Sequence, residues 1–364
     1  MKYLKSFSLF EAQKGLTPAQ TEFLNRYVKG TWTINPETGL VDVEGDFIYS
    51  NRGAKSFRGV RFGHVSGSFD CSSNNLTSLE GAPQTVGGSF YCNRNNLTSL
   101  EGAPQTVNGD FDCHFSRLTS LEGAPQTVGG DFRCNGNNLT SLEGAPQTVG
   151  GYFNCYGNNL TSLKGAPQTV DGSFNCNLNN LTSLEGAPQT VDGSFGCAGN
   201  NLTSLEGAPQ TVGGSFNCNG NKLTSLEGAP QTVNGDFDCH INKLTSLEGA
   251  PQIVDGDFKC NRNKLTSLEG APQTVGGDFW CDAFELKSSE WNLKGWLEAA
   301  HKNKQAAELL VPLLSEPHLD SWMRKNPLDL DLLDDFPELK AGVLRRTGLR
   351  DLSRLGKSIR GNLI

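Results

Sequence analysis

One sequence pattern, repeated at a fixed interval, constrains this chain more than any other feature. The pattern is Gly-x-Phe-x-Cys-x-x-Asn-x-Leu-Thr-Ser-Leu-Glu-Gly-Ala-Pro-Gln-Thr-Val, and it first occurs complete at residues 67–86. Its cysteine returns every 21 residues, at Cys71, Cys92, Cys113, Cys134, Cys155, Cys176, Cys197, Cys218, Cys239, Cys260 and Cys281. A fixed period of about 20–50 residues is typical of solenoids, in which each unit buries its apolar face only against its neighbours. The sequence therefore predicts a repeat solenoid over residues 67–281, with about eleven strands.

Within one repeat, alternating apolar and polar residues indicate a strand. Phe90 and Cys92 fall on one face of this strand and Tyr91 on the other, as a side-chain period of two requires. Stacked copies predict a parallel β-sheet with phenylalanine and cysteine inside and the outward residues on the concave face of the solenoid.

The remainder of the repeat is assigned from the chemistry of its side chains. Paired residues that tolerate positive φ are expected to open each strand, as at Gly87-Gly88, Asn108-Gly109 and Asp171-Gly172. Asn95 ends the strand, and its amide can bond open backbone groups of the bend and of the next coil. Pro104 is expected to hold the return segment extended. Apolar side chains then turn inward at Leu97, Leu100 and Val107.

This pattern resembles the leucine-rich repeat family. Phe-x-Cys-x-x-Asn-x-Leu stands where that family carries Leu-x-Leu-x-x-Asn-x-Leu, and the following Leu-Thr-x-Leu is most like the short repeats of secreted bacterial effectors. The Leu-Glu-Gly-x-Pro turns and Val-x-Gly-x-Phe-x-Cys strands also resemble leucine-rich repeat proteins of tailed bacteriophages. The resemblance covers about residues 44–281 and implies a non-enzymatic protein–protein interaction module of phage type. One departure is that valine stands four residues before the strand phenylalanine, where the effector pattern has three, which predicts a differently shaped return segment.

Composition and charge argue against several classes of protein. A net charge of −8 disfavours a general nucleic-acid coat. No stretch approaches 18 consecutive apolar residues, and the N-terminus lacks an apolar signal core, so neither a membrane span nor a secretion signal is expected. The cysteines are odd in number and share one inward position, which predicts reduced thiols and a cytoplasmic location, that of the bacterial host if the protein is phage-encoded.

The sequence carries no visible catalytic or metal-binding motif. The cysteine spacing fits no zinc finger, and neither a phosphate loop nor a nucleophile motif is seen, so we expect no enzyme, no cofactor and no metal. The repeated glutamates could attract cations, but solvated carboxylates at the edge of a loop are the favoured interpretation. They include Glu80, Glu101, Glu122, Glu143 and, beyond Lys164, Glu185 to Glu269.

The segments before the repeats are predicted to form a leader, a helix and an entry cap. In residues 1–29, Thr17-Pro18-Ala19-Gln20 supplies an N-cap, a proline at the first helical position and a capping-box partner. The start of the chain resembles the delivery leader of internal head proteins in large tailed phages, where cleavage follows a Leu-x-Glu triplet, here ending at Glu11. The alternative is an amphipathic start that packs on the helix. Residues 30–66 are expected to be a β entry cap, with strands at 32–34 and 40–43 and a worn repeat copy at 45–49.

Residues 282–364 are predicted to form an all-α C-terminal domain with a basic end. The last 25 residues hold seven cations against Asp351, namely Lys340, Arg345, Arg346, Arg350, Arg354, Lys357 and Arg360. Leucines and an isoleucine interleave with these cations at helical spacing, so this end could bind an acidic partner, a nucleic acid or a membrane surface. The alternative is a capping helix whose basic face is solvated or lies against the glutamates of the repeats.

The outward positions of the strands vary while the frame of the repeat stays constant, which favours a recognition surface. Aromatic and cationic residues cluster on strands two to five and predict one patch roughly 15 Å across. The patch comprises Tyr91, Arg94, His114, Phe115, Arg133, Tyr152 and Tyr156. Relaxed drift is the alternative, but it predicts small polar replacements. We therefore predict a host or phage protein as partner. The alternatives are a structural component of the virion interior and a nucleic-acid-associated protein that acts through the basic end.

Overall fold

The computed structural model describes residues 15–282 and 284–286. These residues form two compact units. The first unit runs to Asn201 and includes Gly207–Pro209, and the second comprises Leu202–Glu206 and the described residues from Gln210 onward. In each unit, successive 21-residue coils pair through parallel strands in register, which confirms the predicted repeat solenoid. The division into residues 1–29, 30–66, 67–281 and 282–364 stays a prediction.

Helix α1, Pro18–Tyr27, lies before the first coils. Thr17 caps it as expected: its hydroxyl accepts from the Gln20 backbone N–H, and the Gln20 side chain accepts in turn from the Thr17 N–H at 2.9 Å. The helical spacing of Phe23, Leu24 and Tyr27 predicts a shared apolar face, and the structure confirms it, because all three are buried.

Three longer strands follow the helix, β1 at Val28–Ile34, β2 at Val41–Ile48 and β3 at Phe62–Val65. Strands β1 and β2 pair antiparallel, and β2 pairs parallel with β3. The two segments predicted at 40–43 and 45–49 are largely one strand, since β2 runs through both. The worn repeat copy is also real: Phe47 of β2 pairs with Phe69 of the first full repeat.

Each complete coil carries two short strands, which we call the Phe strand and the Val strand. The Phe strands are Phe69–Asp70, Phe90–Tyr91, Phe111–Asp112, Phe132–Arg133, Phe153–Asn154, Phe174–Asn175 and Phe195–Gly196 in the first unit, and Phe216–Asn217, Phe237–Asp238, Phe258–Lys259 and Phe279–Cys281 in the second. The Val strands are Thr85–Val86, Thr106–Val107, Thr127–Val128, Thr148–Val149, Thr169–Val170 and Thr190–Val191, then Thr211–Val212, Thr232–Val233, Ile253–Val254 and Thr274–Val275. A final strand, Phe284–Leu286, pairs antiparallel with Phe279–Cys281. The Val strands were not predicted, because a two-residue strand has no alternation to reveal it.

The core consists of inward columns that run from coil to coil. Phe90, Cys92, Leu97 and Leu100 have no solvent exposure, as the alternation predicted, and Val107 is buried beside them. Neighbouring phenylalanine rings stack, with centroids 5.3 Å apart for Phe90 and Phe111. Apolar side chains therefore fill each coil and contact their copies in the adjacent ones.

The glycines that precede the Phe strands have a different role from the one expected. The prediction of positive φ at the paired residues before the strand is wrong, because positive φ occurs instead in the Glu-Gly turn and just before the bend asparagine. A Cβ atom on Gly88 would lie 2.8 Å from the carbonyl carbon of Gly67, and one on Gly172 would lie 2.6 Å from that of Gly151. Close approach between the backbones of adjacent coils therefore requires glycine here.

The bend asparagines form a buried ladder. Asn158 donates from Nδ2 to the carbonyl oxygens of Cys155 and Cys134 at 3.0 and 3.1 Å, and its Oδ1 accepts from the Leu139 N–H at 3.1 Å. The bond to its own bend was predicted, but the neighbour that it bonds is the preceding coil rather than the next one. Each such side chain therefore joins two coils through backbone groups that would otherwise be buried unpaired.

The cysteines are thiols rather than disulfides and are buried, in agreement with the inward assignment. Burial raises the pKa of thiols such as Cys71 and Cys134, so few are present as the reactive thiolate at neutral pH. We expect iodoacetamide to label few of the eleven cysteines in the folded protein and all of them after unfolding, as counted by intact mass. Labelling of most cysteines in the folded protein would contradict the buried column.

Candidate functional site

The outward surface beside the Phe strands is built from four columns of residues. We call them the pre-Phe column, which precedes the strand phenylalanine, the mid-strand column between phenylalanine and cysteine, the post-Cys column directly after the cysteine, and the left-handed column after that. Three of these columns have a residue type that the fold itself favours. A site can therefore be sought where that preference is not followed.

The pre-Phe column is a hydrogen-bond ladder between coils. The Ser89 hydroxyl accepts from the Asp110 N–H at 3.0 Å, Asp110 Oδ1 accepts from the Asp131 N–H at 2.9 Å, and Asp131 Oδ1 accepts from the Tyr152 N–H at 2.8 Å. Only a short side chain with an acceptor oxygen can make this bond. Except for the repeat with Tyr152, the other full repeats carry serine or aspartate here, namely Ser68, Ser173, Ser194, Ser215, Asp236, Asp257 and Asp278.

Tyr152 interrupts this ladder. Its hydroxyl lies at the end of a ring, too far from the backbone to accept from the next coil, and bonds instead with Asn175 Nδ2 at 2.8 Å. Burial raises the pKa of Tyr152, so the phenol stays neutral at physiological pH. The chain thus gives up an inter-coil hydrogen bond to place a half-buried aromatic ring on this surface.

The mid-strand column favours asparagine or aspartate. Asp70, Asn154 and Asn175 each accept from the backbone N–H two residues later, at 2.9, 3.1 and 3.0 Å. This bond closes the strand end and is a known property of short polar side chains. Other residue types stand at Tyr91, Arg133 and Gly196 in the first unit and at Lys259 and Trp280 in the second.

The left-handed column favours glycine, because its backbone has positive φ. Gly136 and Gly157 have φ of 65° and 63°, but Arg94, Phe115 and Leu178 adopt 54°, 46° and 53° at the same position. An L-residue in this conformation is destabilised by about 1–2 kcal/mol. Phe115 and Leu178 nevertheless leave about half of their surface exposed, at 53% and 51%. Ile241 and Arg262 depart in the same way in the second unit.

These preferences separate structural residues from candidate site residues. Many small polar residues on this surface make hydrogen bonds that hold the repeat together. Relaxed drift of exposed positions therefore does not explain why they are small and polar. Five of the seven predicted residues depart from a frame preference, namely Tyr91, Arg94, Phe115, Arg133 and Tyr152. Strand register brings them to adjacent coils of the first unit. Leu178 was missed, although an apolar residue in the same column as Phe115 was a signal available in the sequence. Binding by any of them stays a prediction.

The two remaining predicted residues lie in the post-Cys column. The His114 Nδ1 atom lies 2.5 Å from Asp112 Oδ1, and its ring meets that of Phe115 edge to face with centroids 5.2 Å apart. The sequence did not reveal this carboxylate–imidazole pair. Tyr156 is exposed and makes no such pair through its side chain within the described residues.

Two residues of this surface have structural contacts that the sequence did not suggest. Arg133 bridges two aspartates, with its guanidinium 3.2 Å from Asp110 Oδ2 and in contact with Asp131 Oδ2. From its outward position alone, Arg133 is predicted to be replaceable by alanine without a change in melting temperature. The structure corrects this prediction, because the replacement leaves these neighbouring carboxylates without their cation. The sequence alone predicts almost no effect of alanine at Asn175, an outward small polar residue, but its side chain bonds both Tyr152 and its own strand end. It is therefore unsuitable as a silent control.

Several predicted features lie elsewhere. The basic patch of Arg345, Arg346, Arg350, Arg354, Lys357 and Arg360 lies outside the described residues, as does Glu11. In the glutamate column, Lys164 Nζ pairs with Glu143 Oε1 at 2.9 Å on the exposed surface. Across residues 15–282 and 284–286, no helix has both the length and the apolar character needed to cross a membrane. The same ranges hold no group of three or more His, Cys, Asp or Glu side chains that could bind a metal ion.

Comparison with known proteins gives similar solved structures only. No protein-family model and no curated protein matches the chain. YopM from Yersinia enterocolitica WA-314 is 22% identical, with a TM-score of 0.43, over 63% of this chain and 54% of that one. YopM from Yersinia pestis, described as a leucine-rich effector protein, is 19% identical, with a TM-score of 0.46, over 65% of each chain. This chain therefore spans about half to two thirds of the length of those proteins. The solenoid is established by the register of its own strands.

Proposed function

We propose that this protein is a non-enzymatic recognition module that binds a partner protein through the outward face of the Phe strands in the first unit. One observation carries the proposal: large side chains occupy columns in which the frame favours serine, aspartate, asparagine or glycine. They are Tyr91, Arg94, Phe115, Arg133, Tyr152 and Leu178, with Tyr156 beside them.

The energies involved support selection for binding. Tyr152 gives up a backbone hydrogen bond worth about 1 kcal/mol, while Phe115 and Leu178 each retain a backbone strained by about 1–2 kcal/mol. Glycine stands at neighbouring copies of the same position, so the strain is avoidable. Aromatic and arginine side chains dominate binding hot spots, because they bury much area while freezing few torsions. Of these destabilising residues, the aromatic ones, Tyr152 and Phe115, are of the kind that a protein interface uses most effectively.

The phage type of this module is part of the proposal. It is supported by the resemblance of the Leu-Glu-Gly-x-Pro turn and the Val-x-Gly-x-Phe-x-Cys strand to phage leucine-rich repeat proteins, and a host or phage protein is the partner implied. The hypotheses of a virion component and of a nucleic-acid-binding protein depend on the leader and on the basic end. Both segments lie outside the described residues.

Variants that restore the frame residue test the proposal. We expect Tyr91→Asn, Tyr152→Ser and Leu178→Gly each to weaken partner binding about 10–100-fold, equivalent to about 1–3 kcal/mol. Stability should not fall, because each new residue suits the backbone at its position. In Tyr152→Ser, the restored bond to the Ser173 N–H offsets the lost bond to Asn175, within about 0.5 kcal/mol.

The measurement begins with the immobilised full chain and a bacterial lysate, from which the captured protein is identified by mass spectrometry and then titrated against each variant. Gln147→Ala is the matched control, because Gln147 is exposed on the return segment, away from the Phe strands. Equal affinities for the control and the three frame-restoring variants would refute the proposed face. A loss of affinity accompanied by a lower melting temperature would assign these residues to the frame instead.

A further inference from the structure

The first and second units contain the same constellation of outward residues. The first cluster comprises Asp110, Asp112, His114, Phe115, Asp131 and Arg133, and the second comprises Asp236, Asp238, His240, Ile241, Asp257 and Lys259. Each member of the second cluster stands 126 residues after its counterpart, which is six periods of 21 residues. The corresponding residues lie on two neighbouring coils, and each of the four outward columns contributes at least one of them.

The two clusters share geometry as well as composition. In the first, Arg133 bridges Asp110, at 3.2 Å, and Asp131. In the second, Lys259 Nζ bridges the equivalent aspartates, 2.9 Å from Asp236 Oδ2 and 3.2 Å from Asp257 Oδ2. One cation thus lies between two adjacent carboxylates of the pre-Phe column in both places.

The histidines are also held in the same way. His114 Nδ1 pairs with Asp112 Oδ1, and His240 Nδ1 pairs with Asp238 Oδ1. A carboxylate at Nδ1 fixes the tautomer and the ring, so that Nε2 of the neutral imidazole is the acceptor available to a ligand. In both clusters the residue after the histidine is apolar, has positive φ and is exposed, at 53% for Phe115 and 42% for Ile241.

Duplication of a block of repeats does not by itself account for this likeness. In the flanking coils of the same blocks, outward residues have changed in kind, with Tyr91 matched by Asn217 and Tyr152 by Asp278. Within the clusters the only replacements, Phe115 by Ile241 and Arg133 by Lys259, keep apolar character and positive charge. The chemistry of the clusters has been retained, whereas several neighbouring outward positions have changed in kind, including Arg94, matched by Gly220, and Gly136, matched by Arg262.

This chemistry defines a ligand. Each cluster has three carboxylates and one cation: two carboxylates pair with the cation and the third pairs with the histidine, so formal negative charge is in excess. The histidine Nε2 adds a further acceptor. An exposed apolar side chain lies directly beside these groups. A lysine or arginine next to an apolar residue satisfies both features, through charge complementarity and through contact with Phe115 or Ile241.

We propose that each cluster binds one copy of the same basic, apolar-flanked protein segment, so that this chain is bivalent for its partner. The proposal rests on the proposed function and adds to it a second site and the chemistry of the bound segment. Two linked sites raise avidity without new contacts when the partner presents the segment twice.

The test uses the full chain and two synthetic dodecapeptides, one alternating lysine with leucine and the other alternating glutamate with leucine. Calorimetric titration should give two equivalents bound for the lysine peptide and no measurable binding for the glutamate peptide. The double variant Asp131→Asn with Phe115→Gly removes charge and anchor from the first cluster, and Asp257→Asn with Ile241→Gly does so in the second. Asparagine still accepts the inter-coil bond and glycine suits the positive φ, so both variants should fold. Each should bind one equivalent, and the combined variant should bind at least tenfold more weakly.

The matched control removes the same charge elsewhere, with Glu122→Gln and Glu248→Gln in the exposed glutamate column, and should leave two equivalents. Equal losses of affinity in the control would show attraction by net charge alone and overturn the proposal. The proposal is also overturned if the unmodified chain binds only one equivalent of the lysine peptide or none, or binds the glutamate peptide equally well. If the cluster variants keep two equivalents while Tyr91→Asn still loses the captured protein, bivalency fails and the proposed function stands. If neither the cluster variants nor Tyr91→Asn lose the captured protein, the proposed function itself is refuted.

Discussion

Replacing Asn158 by alanine is expected to lower the free energy of unfolding by about 2–4 kcal/mol. The change leaves the Leu139 N–H buried without its acceptor and removes one of the bonds at the carbonyls of Cys134 and Cys155. Chemical denaturation of the full chain measures the loss. Asn159→Ala is the matched control, because that neighbouring side chain is exposed, and we expect it to change stability by less than about 0.5 kcal/mol. Comparable losses in the two variants would show that the buried ladder is not a main source of stability.

The chain contains one natural test of the same ladder. Ser116 stands where the other repeats of the first unit have the bend asparagine, and its hydroxyl accepts only a long bond from the Asn95 N–H, at 3.5 Å. Leu76 and Leu118 donate to Asn95 and Asn137, so Leu97 is the residue whose acceptor the serine fails to supply. The Leu97 amide should exchange with solvent faster than those of Leu76 and Leu118, and Ser116→Asn should slow it. Equal protection in the unmodified protein would contradict this account.

Replacing Gly172 by alanine should destabilise the first unit by about 3 kcal/mol, because a Cβ atom would lie 2.6 and 2.7 Å from the carbonyl carbon and oxygen of Gly151. Backbone atoms cannot rotate away as a side chain can. Gly157→Ala is the informative comparison, because this glycine has φ of 63° and nothing within 4 Å of an added Cβ. Only the left-handed strain applies there, so about 1 kcal/mol is expected.

The ratio of these two losses distinguishes the two uses of glycine in one repeat. Both variants can be compared by urea denaturation monitored through the near-ultraviolet signal of the first unit. A larger loss at Gly157 than at Gly172 would mean that backbone conformation, rather than the approach of adjacent coils, limits the residues allowed before the Phe strand.

The sequence by itself determined the period, the strand position and the inward columns. A 21-residue interval with phenylalanine and cysteine at alternate positions admits few folds, because each coil must bury the same side chains against its neighbours. The capped helix at Pro18–Tyr27 was equally readable, since its signals lie within a few residues of one another. The role of the bend asparagine followed from its short amide, although the coil that it bonds did not.

Only the tertiary structure decided what each outward side chain contacts. Residues that face each other in adjacent coils are 21 positions apart in the chain. The bond that Asp131 accepts from the Tyr152 N–H, and the clash that a Cβ on Gly172 would cause, therefore cannot be predicted from neighbouring residues in the sequence. Alternation reveals the face on which a residue lies but not its partners. The separation in the chain concealed the bond from Arg133 to Asp110. Asp112 and His114 lie two residues apart on one face, but alternation alone does not show that they pair. Because the coils stack in strict register, the same contact repeats along a column. A residue that cannot make this contact, such as Tyr152, is recognised as exceptional only once the contact is known.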